Sequence, residues 1–513
     1  MNAAIDPRIV YPENALFLDF GDRRETAVRL FVGAREDQLE TASAVRSLSR
    51  PRSELAASLR PYNERLGASA MSIRNVESLR DPATLCVLGG QQAGFLGGPS
   101  YTAYKIVSIL RSAERLTAAL DVPVIPIFWL ASEDHDLAEV NRVLLLDDDG
   151  SIRRIAFDET ERGRAIESLP ITGEMRGAAA EILARFSDAA ASIRDLFHPA
   201  DGDDYATWHA RIWSRLFAGS GLVLVEPRTV RHLAGHLFET ALSRAGDVAD
   251  ALRAGAERLV KAGYGPPLDP DRAGRPFLIE PSGRRVRAGA APRRSGEAFS
   301  ADVALRPVFA DALFPTVANV LGPSELAYHA MLAPLYDLFE VPQPIPVPRT
   351  GYTLLSEEEE DLLRALRVPI EVAISTDLDP KLVLRRAASD QMQDAFAAAR
   401  RGVESALEPL LPVLSELDPG LEARWRQTAE HAGQAIDRLE ERANHADLAR
   451  RGVSAKRLHA LRASLRPADK PQERGLSFVH FAIRFGIEWL DGLLGSEDSD
   501  RFSHRAVTIR GGR

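Results

Sequence analysis

The chain has 513 residues, of which 45% are hydrophobic and 27% charged, the balance of a globular protein with about two to four domains or one large core with additions. Its formal net charge of -9 argues against a nucleic-acid partner, whose binding surface is normally basic, but leaves room for a local basic pocket. The single cysteine, Cys86, excludes an internal disulfide framework and a cysteine-rich zinc site.

Residues 1–80 read as an irregular lead followed by helices, with apolar residues at helical spacing in RETAVRLFVG and SELAASLRPYNERLGA. The opening residues show no basic segment followed by an apolar run, and no stretch has the length of a membrane-spanning helix. A cytoplasmic protein with no membrane partner is therefore expected. TLCVLGG reads as a short buried strand. PSYTAYKIVSILRSAERLTAAL follows as a helix, with Pro99 and Ser100 in its first turn. VPVIPIFWLAS is a second strand, apolar on both faces. This β–α–β order predicts parallel strands covered by helices on both sides. VNRVLLLDDDGSIRRIAF reads as a hairpin turning at Asp149–Gly150.

Residues 173–218 and 228–263 read as helical, on either side of the short strand SGLVLVEP. The segment 264–300, rich in Gly, Pro and Arg, reads as loops around a hairpin. FPTVANVLGPSELAYHAMLAPLYDLF repeats the first unit's strand, glycine, Pro-Ser and tyrosine-bearing helix, and PQPIPVPR closes the α/β part, residues 1–355. From 356 to 513 aliphatic, alanine and charged residues dominate. Met392, Phe396, Ala399, Val403 and Leu407 form one apolar seam. After LDPG, Leu421, Trp425, Thr428, Ala432, Ala435, Leu439 and Ala443 form another, predicting an antiparallel coiled-coil hairpin. The last apolar stretch, LSFVHFAIRFGIEWLDGLL, is expected to dock on the core or on a partner subunit.

Three clusters carry candidate chemistry. The first is LGGQQAGFLGGPSYTAYK. It lacks the lysine–serine/threonine pair of a phosphate loop and the spacing of a dinucleotide fingerprint. Even so, Gly94 and Gly98 would let backbone amides approach a ligand at a helix N-terminus, with Gln91, Gln92, Tyr101 and Lys105 beside them. The plain alternative is a glycine-rich turn next to a surface lysine. The second cluster is SEDHD, where Glu133, Asp134 and Asp136 flank His135 directly after the second strand. Such a group can serve as acid and base, hold an amine or bind a metal; the plain alternative is a helix cap by Ser132 or Asp134. The third spans Arg306, Asn319, Glu325 and Tyr328, in which Arg306 suits a carboxylate. There the alternatives are a structural ion pair at Arg306 and a capping box at Glu325. Cys86, inside an apolar strand, reads as an inert buried thiol.

Taken together, LGGQQAGFLGGPSYTAYK, PVIPIFWLASEDHDLAEVN, LRPVFADALFPTVANVLGPSELAYHAML and QERGLSFVHFAIRFG resemble, in order, the bacillithiol-biosynthesis cysteine-adding enzymes, the cysteine ligases of the BshC family. The resemblance implies an α/β fold: a Rossmann-like parallel-sheet core with two inserted connecting segments, at about 147–220 and 228–300, plus a C-terminal α-helical antiparallel coiled coil that makes a homodimer. It implies addition of L-cysteine to the amino group of glucosaminyl malate, an associated adenine nucleotide (ATP or ADP), and no assigned metal. His135, Asp134, Asp136 and Glu133 become the catalytic candidates. Gln91, Gln92, Gly94, Gly98, Tyr101, Lys105, Asn141, Arg306, Asn319, Glu325 and Tyr328 become the substrate-binding ones. The family's first block reads closer to TGQQ; Gly89-Gly90-Gln91-Gln92 here lacks that threonine hydroxyl. The alternatives to a ligase are a nucleotidyltransferase-like enzyme using the same crevice and a nucleotide-binding regulatory coiled-coil dimer.

Overall fold

The computed structural model describes residues 1–31, 38–158, 163–289, 296–375, 390–450, 455–495 and 502–510. Five strands, β1 (Leu85–Gln91), β2 (Val124–Leu130), β3 (Val223–Val225), β4 (Thr316–Leu321) and β5 (Ile345–Pro348), form an all-parallel sheet. Its spatial order is β5-β4-β1-β2-β3. Every residue of β2 is buried, as a central strand covered on both faces requires. The edge strand β5 tolerates Pro346 and Pro348, because an edge needs hydrogen-bond donors on one side only. Helix α1 (Tyr101–Leu120) makes the crossover from β1 to β2 and is buried along most of its length.

The strand order locates the crevice. The chain steps from β1 to β2 to β3 in one direction, then returns to place β4 on the other side of β1. This is the doubly wound arrangement of a Rossmann-like core, and ligands bind where the order reverses, at the carboxyl ends of the strands. Here that point lies between β1 and β4.

The predicted hairpin forms from Arg142–Leu146 and Ile152–Ala156, with Gly150 at φ +83 in its turn. The segment 264–300 holds one strand more than expected. Phe277–Ile279 pairs antiparallel with both Arg285–Arg287 and Ala298–Ser300, and this small sheet sits over the end of β2. The two ends of the chain meet: Asn2–Ile5 pairs antiparallel with His504–Ile509, which runs parallel to Gly351–Ser356.

The coiled coil has three helical pieces, because Glu408 and Pro409 interrupt its first arm: α3 (Asp390–Leu407) and α4 (Leu410–Leu417) pack on α5 (Leu421–Arg450). (α2 is Pro323–Met331, after β4.) The Trp425 indole donates to the Leu407 carbonyl at 2.8 Å, and Arg400 pairs with Asp437 at 2.9 Å. Leu439, expected in the seam, is instead 61% exposed, as is 74% of Leu417. The final apolar stretch docks on the core: Phe478 packs on Trp213 at 4.9 Å and Trp489 on Tyr104 at 6.3 Å. Among the described residues, no helix is long and apolar enough to cross a membrane.

Candidate active site

Lys105 stands at the switch point. It is buried, 1% exposed, not the surface lysine of the plain reading. Its ammonium donates to the Gly90 carbonyl (2.7 Å), to Gln91 Oε1 (3.0 Å) and to the Glu325 carboxylate (2.6 and 2.5 Å). Glu325 also accepts the Gly322 amide at 2.7 Å, so it caps α2 while pairing with α1. Burial lowers the Lys105 pKa, with Glu325 opposing. Burial pushes the Glu325 carboxyl up, but Lys105 and the Gly322 amide outweigh it and hold it below its ordinary value. All three ammonium donors are used, so Lys105 braces β1 against β4 and has none left for a ligand. Gln91 extends this chain by donating to the Tyr101 hydroxyl at 3.4 Å.

The glycine turn is closed to an anion. The C-terminal segment lies across it: the Ser100 amide donates to the Leu476 carbonyl (3.2 Å) and the Phe478 amide to the Gly98 carbonyl (2.8 Å). Gly98 takes φ +70, and a Cβ on Gly94 would lie 2.5 Å from the Gly98 Cα, so both positions serve chain packing. From below, His209 Nδ1 donates to the Gly94 carbonyl at 2.7 Å while its Nε2 accepts the Trp213 indole at 3.0 Å. Burial drives this imidazole down to about 4, which keeps it neutral. The expectation that Gly94 and Gly98 cradle a ligand is corrected: their loop is a seam for the C-terminal segment.

The open wall lies one strand over. A cavity of about 40 Å³ is lined by Gly90, Trp129, Arg306, Asn319, Glu325 and Tyr328. A second, of about 20 Å³, shares Trp129 and Arg306 and runs on to Glu133 and Arg231. Arg306 Nη2 donates to the Tyr328 hydroxyl at 3.4 Å, and among the described residues the guanidinium has no carboxylate ion pair. Asn319 gives its amide N–H to Asp311 Oδ2 at 2.9 Å. Among the described residues, its carbonyl oxygen and the Trp129 indole N–H are buried without partners. An arginine with no carboxylate ion pair among the described residues, a donor and an acceptor thus line one cavity system, and unpaired buried groups of this kind are costly unless a ligand satisfies them.

At the end of β2 the last four side chains of SEDHD, Glu133 to Asp136, diverge. Glu133 is buried, accepts the Ala301 amide at 3.2 Å and lies 3.9 Å from Arg231, which also pairs with Glu167. Burial and the neighbouring Glu133 and Glu226 push the Glu167 carboxyl up to about 7 against the pull of Arg231. Asp134 accepts Gln92 Nε2 at 2.9 Å and Arg285 Nη1 at 3.3 Å. Burial pushes its carboxyl up, but Arg285, the His135 amide and Gln92 hold it below the usual range. His135 is 42% exposed, and Asp136 is exposed ahead of a single helical turn, where its side chain makes no cap bond. Among the described residues no three His, Cys, Asp or Glu side chains come together as a metal site. Asn141 lies apart: it bridges to the Phe157 carbonyl at 2.9 Å and closes the hairpin's base.

Residues 8–288 and 288–350 match the family described as bacillithiol biosynthesis BshC, N-terminal Rossmann-like domain, and residues 352–509 match its C-terminal coiled-coil domain. The chain belongs to the BshC family. BshC relatives carrying the name "Putative cysteine ligase BshC" include those of Geobacillus thermodenitrificans (30% identical), Symbiobacterium thermophilum (30%) and Koribacter versatilis (31%). Each of these alignments covers 89% of this chain and 90% of the relative. Within this BshC chain, three charged residues around the candidate site escape the sequence patterns. Arg285 comes from the small sheet, while Arg349 and Glu473 form a buried bidentate pair (2.6 and 2.8 Å) behind Tyr101. Arg285 had no local signal beyond an arginine-rich loop, and Glu473 only its place in the resembling QERGLSFVHF block.

Proposed function

We propose that this protein joins L-cysteine to the amino group of glucosaminyl malate, forming the amide of bacillithiol. Arg306 carries the reading: a guanidinium without a carboxylate partner among the described residues, at the sheet's switch point, beside an unpaired indole N–H and an unpaired amide oxygen. It suits the malate carboxylates bidentately. His135, with Asp134 and Asp136, stands at the rim next to this wall, where the amine and the cysteine carboxyl meet. The coiled coil, with Leu410, Val413, Leu417 and Leu439 exposed along it, supports a homodimer of the same cytoplasmic enzyme.

Forming an amide from a free carboxylate needs an activating group, for which an adenine nucleotide, ATP or ADP, is part of the proposal. The glycine turn does not fit its phosphates, because the Ser100 amide is taken by the Leu476 carbonyl and Lys105 by Glu325. We assign no metal. The test is incubation of the purified chain with glucosaminyl malate, L-cysteine and ATP, read by mass spectrometry. Product heavier by one cysteinyl group is expected. Nucleotide turnover without amide would point to a nucleotidyltransferase-like enzyme, and nucleotide binding without turnover to a regulatory dimer; either overturns the ligase reading.

A further inference from the structure

Arg285 reaches the catalytic cluster from an insertion some 150 positions away in the chain, and its side chain is 7% exposed. It is held on every side. Nε donates to Ser300 Oγ (3.1 Å), Nη2 to the Ala301 carbonyl (2.7 Å), and the guanidinium lies 4.2 Å over the Phe277 ring. The remaining nitrogen, Nη1, stands 3.3 Å from Asp134 Oδ1 and 3.3 Å from His135 Nδ1. An arginine has five N–H donors and no acceptor, so the contact to His135 runs one way only: Nη1 donates and Nδ1 accepts. A neutral imidazole with its Nδ1 lone pair engaged carries its proton on Nε2. Among the described residues Nε2 has no partner, and the ring is partly exposed at the crevice rim.

We propose that Arg285 is a positioning residue that fixes His135 as the Nε2–H tautomer, making it a hydrogen-bond donor to the reacting carbonyl rather than the base for the amine. The catalytic half of this rests on the cysteine-ligase reading; the tautomer does not. As the amine nitrogen bonds to the carbonyl carbon of the nucleotide-activated cysteine carboxyl, negative charge builds on the carbonyl oxygen, and a preset donor there lowers the barrier; the C=O double bond then re-forms as the C–O bond to the activating phosphate breaks and the phosphate leaves with that electron pair. Nε2–H has no lone pair to take the amine's proton. That proton leaves by the solvent-exposed side, where Asp136 stands. The pairing also differs from a histidine whose Nδ1–H points to a carboxylate and whose Nε2 is left as a base. Here Asp134 Oδ1 lies 3.6 Å from Nδ1, beyond hydrogen-bond distance, while Arg285 Nη1 stands 3.3 Å from each of them.

Two measurements test this. In full-length protein labelled with ¹⁵N-histidine, at about pH 8, well above the ordinary histidine range, the His135 signals (assigned by their loss in His135→Gln) should show a bare Nδ1 and a protonated Nε2. A protonated Nδ1 overturns the proposal, whether or not the enzyme reaction is established. In Arg285→Met the Nε2–H preference should weaken or reverse toward Asp134; an unchanged tautomer in folded Arg285→Met shows that Arg285 does not set it. The second measurement uses catalysis. Glutamine places an amide N–H where Nε2–H stood and cannot act as a base. His135→Gln should keep kcat within about tenfold of wild type, while His135→Ala loses about a hundredfold or more. Equal loss in both would show that the imidazole acts as a base.

Discussion

Two arginine–carboxylate clusters flank the carboxyl end of the sheet, and they differ in what they leave unsatisfied. Arg349 and Glu473 meet in a bidentate pair, 3% and 0% exposed, closed further by the Tyr11 hydroxyl on Glu473 at 2.7 Å. That cluster ties the C-terminal segment to β5 and has no open valence. Arg285, Asp134 and His135 use the same kinds of group, but His135 is 42% exposed and its Nε2 has no partner among the described residues. Charge alone therefore does not mark the site. A dry, saturated cluster holds the fold together, and a cluster saturated on one side only is the one the proposed reaction uses.

The contrast can be broken by substitution. Glu473→Gln strands a buried guanidinium and should cost about 3–5 kcal/mol in chemical denaturation; a loss below about 1 kcal/mol would show that the pair is not structural. Lys105→Met leaves Glu325 charged at the switch point. Because the Glu325 side chain is 22% exposed and can recruit water, the expected loss is smaller, about 2–3 kcal/mol. On the open side, Arg306→Lys keeps the charge but loses the planar fork. It should raise KM for glucosaminyl malate about tenfold with stability unchanged, and an unchanged KM would remove Arg306 from malate recognition.

The smallest effect concerns Asp311 beneath the cavity. Burial pushes its carboxyl from the ordinary 3.8 up to about 6, against hydrogen bonds from Tyr336 and Asn319. A raised acid pKa means the folded state prefers the proton, so this stability is present below the unfolded value and is lost as pH rises through about 6. Asp311→Asn cannot ionise. Wild-type Tm should fall relative to this variant between about pH 4 and pH 6, and parallel profiles would contradict the assignment.

Much of the fold was legible because it is written locally. The apolar runs of β1, β2 and β4, the glycines at the ends of β1 and β4, and the Asp149–Gly150 turn all act over a few residues. The placing of SEDHD at a strand end was legible for the same reason, since it directly follows β2. The glycine turn was misleading for a physical reason: whether its amides are free depends on Leu476 and Phe478, more than 370 positions away. Lys105 looked available because helical spacing says nothing of Glu325 on another helix. Arg285 was hidden because one arginine among several in a Gly/Pro-rich segment carries no period. Leu439 fits the heptad spacing but is exposed, because the residues around it that face the first arm are Asp437 and Glu440, paired with Arg400.

The most direct measurement is cysteinyl transfer to glucosaminyl malate by full-length wild type and His135→Ala, each with its denaturation midpoint recorded. Wild type is expected to form the amide and the variant to lose it, with unfolding free energies equal to within about 0.5 kcal/mol, since His135 is partly exposed. A variant that forms product at the wild-type rate would contradict this expectation.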